Sequence, residues 1–136
     1  MSEIRYVTEA ETVALNLYLI RKYSPSETAG VKDSALLNSA INRPKQSVLG
    51  EEAYPSIAAK AAALFESLAK NHAFHNANKR TAFTALLQFL KYNHFTLTME
   101  PKQAEDFTVD TVNHKYTFEE LVQTIENYTK PMPTSS

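Results

Sequence analysis

His72-Ala73-Phe74-His75-Asn76-Ala77-Asn78-Lys79-Arg80 is the stretch on which the reading of this chain turns. It places an imidazole, an aromatic ring, two amides and two adjacent cations between two apolar patterns of helical period. Upstream, Ile57, Ala61, Leu64, Phe65 and Leu68 fall at i, i+4, i+7, i+8 and i+11. Downstream, Ala82, Leu86, Phe89 and Leu90 form a stripe that Phe83 and Leu87 widen. The nine residues are therefore a loop that leaves one helix and enters the next at Asn78. A helix N-terminus carries unpaired amides and about half a positive charge, which favours anions. Lys79 and Arg80 add two full charges there, Arg80 as a planar fork and Lys79 as a compact point charge. Cations at that end oppose the dipole, and an anion explains them. His72 is close enough in sequence to take a proton from a hydroxyl presented to a bound phosphate.

Plainer readings exist for each residue alone. A histidine just past a helix is commonly a C-terminal cap, and Asn78 can cap its helix or hold the loop. Phe74 is a core anchor on either reading. His72 and His75 stand three apart, but no cysteine and no nearby third nitrogen supports a zinc site. His75, His94 and His114 are expected to face solvent. The same is expected of Arg43, Glu51, Glu52, Lys60, Glu66 and Lys70, although Arg43 and Glu51 border a segment that a partner could meet.

Outward from the loop the chain reads as an all-α bundle with short connections. Thr8-Glu9-Ala10-Glu11 is a capping box that opens a helix to about Tyr23. Val13, Leu15, Leu17, Leu19 and Ile20 surround much of that helix and predict deep burial. Asp33 caps a second helix through Ile41. Pro44, Gly50 and Pro55 break the next stretch, which has room for a short β-hairpin flap. Ser56 caps the third helix, which ends near Asn71. The fourth runs from Asn78 to Tyr92 and, being apolar almost all round, belongs at the centre. Phe95 to Met99 alternates like a strand with no obvious partner. A fifth helix starts near Pro101 and runs to about Val112. A second capping box at Thr117 to Glu120 opens a last helix to about Tyr128. Residues 1–130 are expected to form a single domain, and 131–136 a frayed tail.

Composition narrows the chemistry. A chain of 136 residues fits one domain and needs no covalent staples. It has no cysteine, which removes disulfides, thiolate ligands and a thiol nucleophile. With two glycines it has neither a Walker loop nor a dinucleotide fingerprint. A net charge of −1 gives no basic field for nucleic acid. No apolar run approaches a membrane span and no leader is visible, so the expected setting is the cytoplasm.

The motif resembles that of the Fic/Doc family: His-x-Phe-x-acid (sometimes Asn)-Gly/Ala-Asn-Gly/Lys-Arg, in the variant of its death-on-curing (Doc) toxins. The likeness extends through Asp33-Ser34-Ala35-Leu36-Leu37, Ala40-Ile41-Asn42-Arg43-Pro44 and Tyr54-Pro55-Ser56-Ile57-Ala58, over roughly residues 5–128. It implies a Fic-fold helical bundle with the motif helix at its centre. It also implies ATP and Mg2+ as cofactors and His72 as general base. Asn78, Ala77 and neighbouring amides would line an anion hole, with Lys79 and Arg80 on the phosphates. Position 76 is where a family acid binds magnesium; Asn76 there offers an amide oxygen without the charge, so weaker metal binding is expected. Fic members proper usually transfer AMP and commonly carry an arginine where this chain has Phe83. Lys79 and Phe83 place the chain nearer Doc-type members. These are described as protein kinases that phosphorylate translation elongation factor Tu and are neutralised by a cognate antitoxin. Ser47 and Glu51 are followed by Glu52, so no intact inhibitory motif is present and inhibition in trans is expected. AMP transfer, or an antitoxin-binding module weakened by Asn76, are the alternatives.

Overall fold

Helix starts set the architecture. In the computed structural model, which describes residues 3–133, α1 (Glu9–Tyr23), α2 (Ser34–Asn42), α3 (Ile57–Lys70) and α6 (Phe118–Tyr128) each begin behind a side chain that accepts from the first turn. Those caps are Thr8, Asp33, Ser56 and Thr117, and the two threonines complete reciprocal capping boxes. α4 (Asn78–Tyr92) and α5 (Pro101–Val112) lack a side-chain cap, but in α5 a proline in the first turn removes one orphan amide. Among the described residues no helix is long and apolar enough to cross a membrane.

α3 and α4 lie side by side along the middle of the bundle. α3 is the more enclosed: its alanines let neighbouring backbones approach, and Leu64, Phe65 and Leu68 fill the core. α4 buries Ala82, Ala85, Leu86, Phe89 and Leu90 and leaves Leu87 and Lys91 partly in water. α2, α5 and α6 pack around α3, and α1 against α4. Phe65 stacks on Phe107 of α5, with ring centroids 5.2 Å apart.

Four expectations change. α1 is not deeply buried: it turns Thr12, Asn16, Leu19 and Ile20 inward and leaves Leu17, Tyr18 and Tyr23 exposed. The apolar residues counted around it include some that simply sit in water, which is common on protein surfaces. The strand β3 (Phe95–Leu97) does have a partner, β4 (Thr129–Pro131), paired antiparallel with Phe95 opposite Pro131. The chain after α6 is therefore ordered through Met132, whose amide donates to the His94 carbonyl; the rest of the expected tail, 134–136, lies outside the described residues.

The remaining change concerns the flap and its neighbours. The flap exists as β1 (Ser47–Val48) and β2 (Glu51–Glu52), joined through Leu49 and Gly50, both at positive φ as a tight hairpin turn requires. Lys60, however, is 2% exposed rather than solvated. Its ammonium donates to Glu52 Oε1 at 2.8 Å, the Tyr54 carbonyl at 2.7 Å and the Pro44 carbonyl at 3.5 Å. Arg43 and Glu66 are also mostly enclosed. Arg43 Nε donates to the Tyr54 hydroxyl at 2.9 Å, and Nη1 to Glu66 Oε1 at 2.9 Å and Ser67 Oγ at 3.0 Å. Hydrogen-bonding partners draw these charges inward. Together they tie the foot of the flap to α3.

Candidate functional site

The motif loop begins where α3 stops. Asn71 caps α3 and His72 follows in the left-handed conformation at φ 53°, which turns the chain away from the helix axis. The His72 side chain is exposed and makes no hydrogen bond among the described residues. Phe74 plunges into the core at 1% exposure, as its ring predicts. Its backbone is gripped from two sides. Asn78 accepts from the Phe74 amide through Oδ1 at 3.0 Å and donates to the Phe74 carbonyl through Nδ2 at 2.9 Å. Val31 forms an isolated antiparallel bridge with Phe74: Lys32 and Asp33 donate to the Ala73 carbonyl, and His75 to the Gly30 carbonyl.

Asn78 is thus a loop clamp. Both polar atoms of its side chain engage the Phe74 backbone, and its own backbone amide opens α4 toward an anion. The N-cap of α4 is Ala77, held left-handed at φ 60°, ψ 31°, with no side chain closing the first turn. The amides of Ala77, Asn78, Lys79 and Arg80 therefore begin a helix as orphan donors, the arrangement that binds anions. A left-handed alanine costs on the order of 1–2 kcal/mol. The first α4 bond that follows runs from the Thr81 amide to the Ala77 carbonyl at 2.9 Å.

The two cations differ. Lys79 is exposed and belongs to no ion pair among the described residues, whereas Arg80 lies over the Tyr23 ring, 4.7 Å from its centroid. His75 faces solvent, as expected. Asn76 donates through Nδ2 to the Thr28 carbonyl at 3.0 Å. An amide can make that bond and a carboxylate cannot. No group of three or more His, Cys, Asp or Glu among the described residues is placed to hold a metal ion. The donor set at position 76 is one neutral oxygen, which does not fit a carboxylate-held magnesium.

Phe83, one turn into α4, packs edge-on against Phe65 at 6.2 Å and belongs to the core wall. Sequence reading missed Asn16 and Thr81, which lie under the loop with no exposed surface, and Tyr23 beneath Arg80. An asparagine between Leu15 and Leu17 was the one available signal: a polar residue set into an apolar run.

A model of the Fic/DOC family matches residues 6–90. A relative from Mycolicibacterium smegmatis named Toxin Doc is 48% identical over 80 residues, covering 59% of this chain and 57% of the relative. The chain thus matches little more than half the length of that relative. The family match takes in α1 to α3, the flap, the whole motif loop and all but the last two residues of α4, which is more than half of the chain, and the chain belongs to the Fic/DOC family.

Proposed function

We propose that the chain is the toxin of a toxin–antitoxin pair, transferring the γ-phosphoryl group of ATP to a protein hydroxyl. The observation that carries this reading is the uncapped N-terminus of α4, whose orphan amides lie beside Lys79 and Arg80 and just after His72 in the chain. The amides and both cations would hold the phosphates and offset charge as it spreads over the transferred group. The His72 imidazole would accept the proton of the attacking hydroxyl as its oxygen bonds to the γ-phosphorus. The bond from that phosphorus to the bridging oxygen breaks, and ADP leaves. Magnesium, where it takes part, would be carried by the nucleotide's own phosphates.

Phosphoryl rather than AMP transfer is supported by Phe83, which serves packing at the position where AMP-transferring members commonly carry arginine. The acceptor proposed from the Doc resemblance is a hydroxyl of translation elongation factor Tu, which would block translation in the cytoplasm. A cognate antitoxin would restrain the enzyme, in keeping with the name of the M. smegmatis relative. The test is incubation with elongation factor Tu and ATP labelled separately at the α- and γ-phosphorus. Label from the γ position on the acceptor is expected. Label from the α position, or none from either, refutes the reading.

A further inference from the structure

Asn16 lies off the nine-residue motif, yet its burial and both polar atoms of its side chain set it apart on α1. It has no exposed surface, though α1 around it is half in water. Its Nδ2 donates to the Asn76 carbonyl at 2.9 Å and to the Thr81 hydroxyl at 3.2 Å. Its Oδ1 accepts from the Gly30 amide at 3.0 Å. One side chain thus joins three separate pieces: the loop between α1 and α2, the motif loop, and the first turn of α4. The orientation of the amide is fixed by its partners, because a flip would set oxygen against the Asn76 carbonyl and nitrogen against the Gly30 N–H.

The pieces it joins are the walls of the anion site. Gly30 accepts from His75 and Asn76 donates to Thr28, so the two loops are already laced edge to edge. Thr81 donates its amide to Ala77, the left-handed residue that aims the orphan amides. Ala77 follows Asn76 directly, so a bond to the Asn76 carbonyl orients the very peptide whose N–H belongs to Ala77. Without that bond, no other hydrogen bond among the described residues would engage the Asn76 carbonyl, and the peptide that carries the Ala77 N–H would be held only through its neighbours.

We propose that Asn16 is a positioning residue: it fixes the Asn76–Ala77 peptide and so preorganises the phosphate-binding amides at the head of α4. The proposal rests on the phosphate reading of the site. Preorganised donors bind charge without reorganising at the moment of binding, so loosening them weakens affinity more than it weakens the fold.

The test compares Asn16→Asp with two remote core variants, Ile125→Val and Leu121→Ala, that bracket its loss of global stability. Asn16→Ser is carried in parallel; it puts a neutral hydroxyl in place of the amide but is too short to span the three partners, and it serves if the buried carboxylate prevents folding. Two quantities are read on the full chain: exchange of the hydrogen-bonded amides of Gly30, Phe74, His75 and Thr81, and affinity for ATP and for inorganic tripolyphosphate. In the Asn16 variants these amides should exchange about tenfold faster than in the remote variants of equal stability. Affinity for both ligands should fall about tenfold or more, while the remote variants bind as wild type does. Exchange no faster than in the matched controls overturns the proposal. Faster exchange with unchanged affinity also overturns it, leaving Asn16 a purely structural residue. If the wild type binds neither ATP nor tripolyphosphate, the phosphate reading fails instead, and the exchange data alone decide whether Asn16 holds the loop.

Discussion

Replacing Lys60 with methionine isolates what holds up the flap. The side chain keeps its unbranched stem, one atom shorter, and loses its charge. Three oxygens lose a donor: Glu52 Oε1 at 2.8 Å, the Tyr54 carbonyl at 2.7 Å and the Pro44 carbonyl at a marginal 3.5 Å. Glu52 is 58% exposed and can return to water, so no buried charge is stranded and the large penalty for breaking a buried pair does not apply. The Tyr54 carbonyl loses a charge-assisted bond worth about 1.5–3 kcal/mol. Against this, methionine spares the dehydration of an ammonium, which costs several kcal/mol on folding. The two nearly cancel in the global balance, and the free energy of unfolding should change by no more than about 1 kcal/mol.

The flap itself has no such compensation. Its strands are two residues long and exposed, and an isolated two-stranded ribbon is marginal in water. Losing a tether of about 1.5–3 kcal/mol should speed exchange of its amides roughly ten- to hundred-and-fifty-fold. The Ala53 amide, bonded to the Gln46 carbonyl at 2.9 Å, is the most direct reporter. Hydrogen exchange by NMR, with urea unfolding alongside, measures both quantities. Flap exchange within twofold of wild type would show that the hairpin stands without Lys60 and would refute the reasoning.

Asn78→Ala removes both bonds to the Phe74 backbone and should cost about 1–3 kcal/mol by urea denaturation, because two partly buried groups lose their partner; a cost below 0.5 kcal/mol, on the order of a surface change, would count against the clamp. Asn76→Asp loses the donor to Thr28, lowering stability by about 0.5–1.5 kcal/mol. It should also reduce the magnesium needed for ATP binding, since it adds a carboxylate; a rise in melting temperature would deny the Thr28 bond. The Glu11–Tyr92 contact should make stability fall at both extremes of pH. Burial by itself would raise the Glu11 carboxyl, but bonds from Tyr92 and Thr8, helped by Arg5, hold it below its ordinary 4.5. Its contribution is complete above that value and is lost as pH falls through the lower folded one. The Glu11 bond, then burial, raises the Tyr92 phenol above 10.0, so its contribution is complete below that value and is lost as pH rises through the folded one. Melting temperature against pH should therefore decline less steeply on both flanks in Tyr92→Phe; superimposable curves would refute the linkage.

Local signals in the sequence were faithful wherever a feature is settled within a few residues. The two capping boxes and the Asp33 and Ser56 caps all follow from side chains next to the backbone groups they satisfy. What could not be read depends on partners far along the chain. Asn93 illustrates it: its side chain accepts from the Arg5 amide and donates to the Arg5 carbonyl across 88 positions, and nothing near either residue announces this. The same distance hides the β3–β4 pairing and the inward turn of Lys60 and Arg43, since charged residues default to solvent until a partner is known. The motif residues are contiguous, so sequence reading reaches them together. Asn16, sixty positions away, carried only the weak signal of a polar residue among leucines.

His72 needs a variant chosen with its backbone in mind. A non-glycine residue at positive φ invites a functional reading. Yet His94 at φ 72° and His114 at φ 59° do the same thing, each one residue past an asparagine that caps a helix, as Asn71 caps α3. The chain has two glycines, and both are spent elsewhere, so histidine follows three of its helices, α3, α4 and α5, in the position glycine usually takes. The left-handed turn at His72 is therefore a structural habit of this chain. Its chemical role rests on place alone, ahead of the uncapped end of α4. His72→Ala confounds the two, because alanine loses the imidazole and is strained at positive φ by on the order of 1 kcal/mol. His72→Asn separates them, since asparagine tolerates that conformation and cannot serve as the base. The melting temperature should stay within about 2 °C of wild type, while γ-phosphoryl transfer falls about a hundred- to ten-thousand-fold. His94→Asn, with the same backbone and no place at the site, should change neither. Transfer that survives in His72→Asn would leave His72 a helix terminator like the other two.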